Sequence, residues 1–138
     1  MIADILLDVP SGVKQLHESP FDFQLTGSRF FGNDRPDSDW DFFVESSRDV
    51  AEYLLKNGYQ NQPANFQDDE IHDIFTKGNN SQKIEVILVK DLTLRRHAQT
   101  LIKSVFPNGI NCDEDIRSNI WVLTCKSLRE RVMLAQSN

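Results

Sequence analysis

Asp39-Trp40-Asp41-Phe42-Phe43-Val44 sets two carboxylates two residues apart in an otherwise apolar run. Residues two apart on an extended strand point to the same side. Asp39, Asp41 and Phe43 therefore share one face, and Trp40, Phe42 and Val44 point the other way, into a core. Carboxylates held side by side repel each other and raise each other's pKa. A divalent cation removes that penalty. Magnesium takes a few carboxylates and completes its shell with phosphate oxygens and water. An Asp-x-Asp on a strand is thus a candidate magnesium site for a phosphate-bearing ligand.

A dozen residues upstream stands Gly27-Ser28-Arg29. Gly27 lets the backbone turn sharply and lets a ligand come close to the main chain. The amides after it, with the Ser28 hydroxyl, can donate to phosphate oxygens, and Arg29 adds a fork-shaped cationic donor. Asp-x-Asp alone is a weak signal, because many strands end in carboxylates by chance, and Gly-Ser alone is weaker. Their order and spacing together describe a phosphate cradle followed by a metal-binding pair.

The surrounding pattern predicts an α+β fold, a short mixed β-sheet flanked by helices in a single domain, 1–138. Residues 1–90 form the sheet with the metal and nucleotide site, and 91–138 form two C-terminal helices. Residues 2–18 read as a helix broken at Pro10, with Ser11-Gly12 as a turn. Phe21 to Thr26 alternates as a first strand, with Phe21, Phe23 and Leu25 facing one way. Asn33 to Asp37 is turn chemistry, and Asp39 to Glu45 is a second strand. Ser46 or Ser47 caps a helix over Arg48 to Asn57, with Gly58 following it. Gln60 to Asp69 reads as a polar loop. Glu70 to Lys77 and Lys83 to Lys90 read as an antiparallel hairpin around 78–82. Asp91 to Phe106 is a helix with Leu94, Ala98, Leu101, Ile102 and Val105 on one face. Asp113 to Gln136 is a second, with its main stripe at Ile116, Ile120, Leu123, Leu128, Val132 and Ala135. Trp121, Val122, Cys125 and Met133 fall off that stripe and suggest a second contact surface.

Composition narrows the function. The 138 residues are 39% hydrophobic and 26% charged, an ordinary globular balance. No apolar run approaches the roughly 20 residues needed to span a bilayer. The start, MIADILLDVPSG, lacks the basic opening and apolar stretch of a signal peptide. A cytoplasmic protein with no membrane partner is expected. Cys112 and Cys125 form no CxxC pair, and His17, His72 and His97 are scattered, which argues against disulfides and zinc. The net charge of −6 disfavours broad nucleic-acid binding. Residues 1–89 hold 7 Lys/Arg against 16 Asp/Glu, a net −9, whereas 90–138 hold 8 against 5, a net +3.

The residues Gly27-Ser28-Arg29, Gly32 and Ser38-Asp39-Trp40-Asp41, after an apolar strand, resemble the nucleotidyltransferase superfamily typified by DNA polymerase beta. They are most similar to its short, minimal members. The tight match runs from Leu25 to Val44. The resemblance implies a third carboxylate on a later strand, and in Lys83 to Val89 the acidic residue is Glu85. The family commonly has Asp there; Glu is one methylene longer, which leaves the second metal's geometry open. Asp73 is a weaker candidate. By the same resemblance, Asp39, Asp41 and Glu85 are the catalytic metal ligands, for Mg2+ or Mn2+. Gly27, Ser28, Arg29 and Ser38 bind a nucleoside triphosphate, ATP being the usual donor of the short relatives. The implied reaction moves a nucleoside monophosphate to a hydroxyl and releases pyrophosphate. Antibiotic-modifying enzymes and toxin-adenylylating antitoxins are among these relatives. The basic final segment, with Arg95, Arg96, Lys103, Arg117, Lys126, Arg129 and Arg131, favours a macromolecular acceptor, a toxin-like protein or an RNA, docking on the C-terminal helices. The alternative is a non-catalytic module that holds a nucleotide or partner, and the intact trio argues against it.

Overall fold

The computed structural model of the chain describes residues 9–32, 34–62, 71–78, 82–110 and 113–137. Of the sequence expectations, the helix over 2–8, Asn33 of the turn, the loop over 63–69, Glu70, the hairpin tip at 79–81 and Cys112 lie outside them.

Five strands form one mixed sheet in the order β1-β2-β5-β4-β3. They are β1 (Gln24–Thr26), β2 (Trp40–Glu45), β3 (Gln60–Gln62), β4 (Ile71–Lys77) and β5 (Ile84–Val89). The helices are α1 (Ser11–Glu18), a short α2 (Gly27–Phe31), α3 (Arg48–Lys56), α4 (Leu92–Val105) and α5 (Glu114–Ser137). β2 and β5 run parallel; every other neighbouring pair is antiparallel. The fold is α+β, with helices on both sides of the sheet.

Strand alternation sorts the apolar residues into two layers. Phe42 and Val44 of β2 lie with Ile84, Val86 and Leu88 of β5 against Val13 and Leu16 of α1 and Val50 and Leu54 of α3. Trp40, Phe21, Phe23 and Leu25 pack onto the same cluster, as alternation predicts. On the opposite face Phe43 and Val89 meet Leu92 and Trp121, and Leu94 and Ala98 of α4 meet Cys125 of α5. The face of the sheet that carries Phe43 and Val89 therefore lies under the C-terminal helices.

Caps account for several helix starts. The Ser47 hydroxyl accepts from the Val50 amide at 3.1 Å, and Asp91 and Asp113 do the same for Leu94 and Ile116 at 3.0 Å. Each such cap contributes about 1 kcal/mol. Gly58 follows α3 with φ 88°, a left-handed position that favours glycine.

Four expectations need correction. Ser11-Gly12 opens α1 with Pro10 as the residue before it, instead of forming a turn. Proline's fixed φ is compatible with the edge of a helix, and it breaks one only from inside. Gln60–Gln62 is a strand, paired antiparallel with β4. Its polar side chains hide it, because an edge strand is held by its main-chain ladder. On α4, Leu94, Ala98 and Ile102 are buried, but Leu101 and Val105 are exposed. On α5 the inward face mixes the two stripes: Trp121 and Cys125 pack inward with Leu128, whereas Ile116, Leu123, Val132 and Met133 are exposed, Leu123 by 62%. Apolar residues all round a helix offer two candidate faces at the same period. The large indole of Trp121 decides between them, meeting Phe43 edge-on at 5.5 Å and Phe31 at 6.0 Å.

Candidate active site

The site begins with register. Asp41 of β2 stands directly opposite Glu85 of β5, and Thr26 of β1 stands opposite Asp41. Thr76 of β4 completes the row beside Glu85. Neighbouring strands lie about 4.8 Å apart, so two carboxylates are held side by side and flanked by two threonines, Thr26 being buried.

Thr26 leads into Gly27, where φ is 70°. A Cβ built on Gly27 would overlap Asp41 Oδ2. The glycine thus serves a close approach of the Asp41 carboxylate to the main chain, as well as the left-handed turn that starts α2. Asp41 Oδ1 is buried and has no hydrogen-bond donor among the described residues. Burial, then the charge of Glu85 and a hydrogen bond shared with it, then the charge of Asp39 push the Asp41 pKa up to about 7, against a smaller pull from Lys83. At neutral pH this carboxyl is therefore divided between its protonated and ionised forms.

Asp39 stands one residue ahead of β2. It is 40% exposed, with Lys83 Nζ 3.9 Å from Oδ2. Among the described residues, no three His, Cys, Asp or Glu side chains converge closely enough to hold a metal ion. The structure brings Asp41 and Glu85 together and sets Asp39 beside Lys83. Asp73 pairs with Leu88, whose side chain belongs to the opposite layer, and it accepts from Asn61 at 3.3 Å.

Arg29, on α2, is engaged with the loop that follows that helix. Its Nη2 and Nε donate to the Ser38 carbonyl at 2.8 and 3.2 Å, and Nη1 pairs with Asp34 at 3.3 Å. The guanidinium lies 4.2 Å over the Trp40 ring. Ser38 receives this clasp on its carbonyl and accepts from the Arg35 amide on its hydroxyl. Together these contacts fix residues 34–38 against the start of β2.

A cleft of about 430 Å³ opens beside Asp39 and Asp41, and neither Glu85 nor Arg29 is among the residues that line it. Gly27, Ser28, Ser38, Asp39 and Asp41 line it, as do Arg35, Arg117 and Trp121. The first five are residues the sequence singles out. Arg35 lies in a stretch read as turn chemistry and Arg117 in the final basic segment, so no motif linked either to the cleft. Thr26 and Thr76 carried no signal either; strand register alone sets them beside the carboxylates.

No family model matches the chain, and no curated protein matches it. The crystal structure of conserved protein GrpB from Enterococcus faecalis is similar at 16% identity, covering 85% of this chain and 88% of that one with a TM-score of 0.42. A likeness this loose carries no functional argument. The site has to be read from its own chemistry.

That chemistry is a paired carboxylate, a main-chain approach made possible by glycine, and an open cleft with hydroxyls and guanidinium groups on its walls. Magnesium is commonly bound by one or two protein carboxylates, with phosphate oxygens and water as the other ligands. The uncompensated Asp41 oxygen and the adjacent Glu85 suit that donor set.

Proposed function

We propose that this chain is a metal-dependent nucleotidyltransferase that moves a nucleoside monophosphate from a nucleoside triphosphate, ATP by resemblance, to a hydroxyl acceptor. The observation that carries this reading is the direct pairing of Asp41 with Glu85 across parallel strands, with Gly27 packed against Asp41. Asp41 and Glu85, with Asp39 beside them, would hold Mg2+ or Mn2+. When bound, such an ion would neutralise charge on the phosphate oxygens and acidify the acceptor hydroxyl.

The chain's own residues would do the rest. The Ser28 hydroxyl, on the cleft wall, donates to the triphosphate. Glu85 takes the acceptor's proton. The acceptor oxygen forms its bond to the α-phosphorus as the bond to the bridging oxygen breaks, and pyrophosphate leaves with the electron pair. Arrangement and electrostatic stabilisation supply most of the catalysis in such transfers.

For the acceptor, the outward face of α5 supports a protein over an RNA. Leu123, Val132, Met133 and Leu134 are all more than half exposed, and apolar exposure of this kind suits a protein contact. With a net charge of −6, the chain offers RNA little general attraction.

A second reading, a nucleotide-binding module without turnover, is favoured by the ion pair of Asp39 with Lys83 and by the lack, among the described residues, of three grouped side chains that could hold a metal ion. Incubation with α-labelled ATP, Mg2+ and host lysate separates the two. Catalysis gives labelled product and free pyrophosphate, both lost in Asp41→Ala and Glu85→Ala. ATP binding with no labelled product in any fraction would leave the binding module standing. Label confined to small molecules would overturn the protein acceptor.

A further inference from the structure

The cleft contains an electrostatic problem that the motif residues do not solve. Asp37, Asp39 and Asp41 all line it, and a polyphosphate entering it needs cations beyond a metal. Arg29 is the cation the motif offers, yet its guanidinium already donates to Ser38 and Asp34 and stacks on Trp40, with a side chain 15% exposed. Turning it toward a ligand would break several charge-assisted bonds, the stronger class of hydrogen bond.

Two other arginines line the cleft without such commitments. Arg35 has a side chain 82% exposed, and its contact with Asp37 is loose at 3.8 Å. Exposed pairs of that kind contribute about 0–1 kcal/mol, so the side chain is readily redirected. Arg117 enters from α5, and among the described residues no carboxylate lies within ion-pair distance of it. Its helix is anchored nearby, because Trp121, one turn further on, packs edge-on against Phe43 and Phe31.

We propose that Arg35 and Arg117 form the cationic clamp for the ligand's terminal phosphates, and that Arg29 is a positioning residue that fixes the loop carrying Arg35. The proposal rests on the nucleotide reading of the site. It adds that the last helix is part of the nucleotide site, in addition to any role in meeting an acceptor. The ligand class it names is a linear polyphosphate chain, the part of the donor that becomes pyrophosphate.

The test is calorimetry of the full chain with inorganic tripolyphosphate and Mg2+, using Arg35→Gln, Arg117→Gln, Arg29→Gln and the Arg35/Arg117 double variant. Each clamp substitution should weaken binding by about tenfold, as expected for losing a hydrogen bond between charged groups. Each should also flatten the salt dependence of binding, because an ionic contact has gone. Thermal stability should be unchanged in both. Arg29→Gln should lower the melting temperature and leave the salt slope intact. Binding within twofold of wild type in the double variant, with ATP turnover still dependent on Asp41, overturns the clamp and leaves the nucleotide reading standing. Wild-type protein that binds neither tripolyphosphate nor ATP overturns both. A flattened salt slope in Arg29→Gln overturns its assignment as a positioning residue.

Discussion

Replacing Asp41 with Asn should make the metal-free protein more stable, and should do so in a pH-dependent way. The carboxylate ordinarily titrates near 3.8 and is pushed up to about 7 in the fold. Below pH 3.8 it is protonated whether the chain is folded or not, and contributes nothing. Between the two values the unfolded chain releases a proton that the folded chain keeps, so stability falls as pH rises. Above 7 the penalty is complete. Three pH units correspond to about 4 kcal/mol at 1.36 kcal/mol each, an upper figure because the titration is shared with Glu85. The same arithmetic leaves a penalty of about 1.5 kcal/mol at pH 5. Asn fills nearly the same space, carries no charge and offers Glu85 a donor. Thermal unfolding with chelator present should therefore show a gain about 2–3 kcal/mol larger at pH 8 than at pH 5. For a chain of this length that is a difference of roughly 8–10 °C in melting temperature. Saturating Mg2+ should raise the wild-type melting temperature at pH 8 and leave the variant nearly unchanged. An equal gain at both pH values, or none, would refute the picture of a buried carboxylate strained by its neighbours.

Gly27→Ala should lose both stability and nucleotide binding: the added Cβ overlaps Asp41 Oδ2 and the φ of 70° strains any side chain, so a loss of about 2 kcal/mol or more is expected in denaturant titration. Trp121→Ala should cost about 2–4 kcal/mol by the same measurement, because the indole joins the sheet face to α5. Leu123→Lys should change stability by less than about 0.5 kcal/mol, since that side chain is 62% exposed. A large loss at Leu123 would mean that the stripe read from the sequence is the buried one after all.

Much of the sheet was legible because alternation and turn chemistry act locally. Trp40, Phe42 and Val44 separate from Asp41 and Phe43 by a two-residue period that nothing in the fold overrides. Glu85 stood out as the acidic residue of an apolar run, and the ladder sets it opposite Asp41. What was not legible depends on partners distant in sequence. Gln60 to Gln62 has no apolar pattern and becomes a strand because β4 offers it an edge. The facing of α5 depends on where Phe31 and Phe43 wait for Trp121. Arg29 looked like a ligand donor because a fork-shaped cation follows Gly-Ser. The loop it clasps is built from residues whose carbonyls have no sequence signature. Arg35 and Arg117 come to one cleft by tertiary placement, which no local motif encodes.

The parallel pairing of β2 with β5 also sets when the site can come into being. Parallel neighbours cannot be joined by a tight turn, and here α3, β3 and β4 intervene between Asp41 and Glu85, forty-four residues apart. Contacts so far apart in sequence carry a loop-closure entropy that must be met before they stabilise anything. During synthesis β2 emerges well before its acidic neighbour, so the two carboxylates meet only when β5 docks. The repulsion between them then falls on the final closure of the sheet. A nascent chain stopped before β5 would hold Asp41 without its partner and have no paired site to offer a metal.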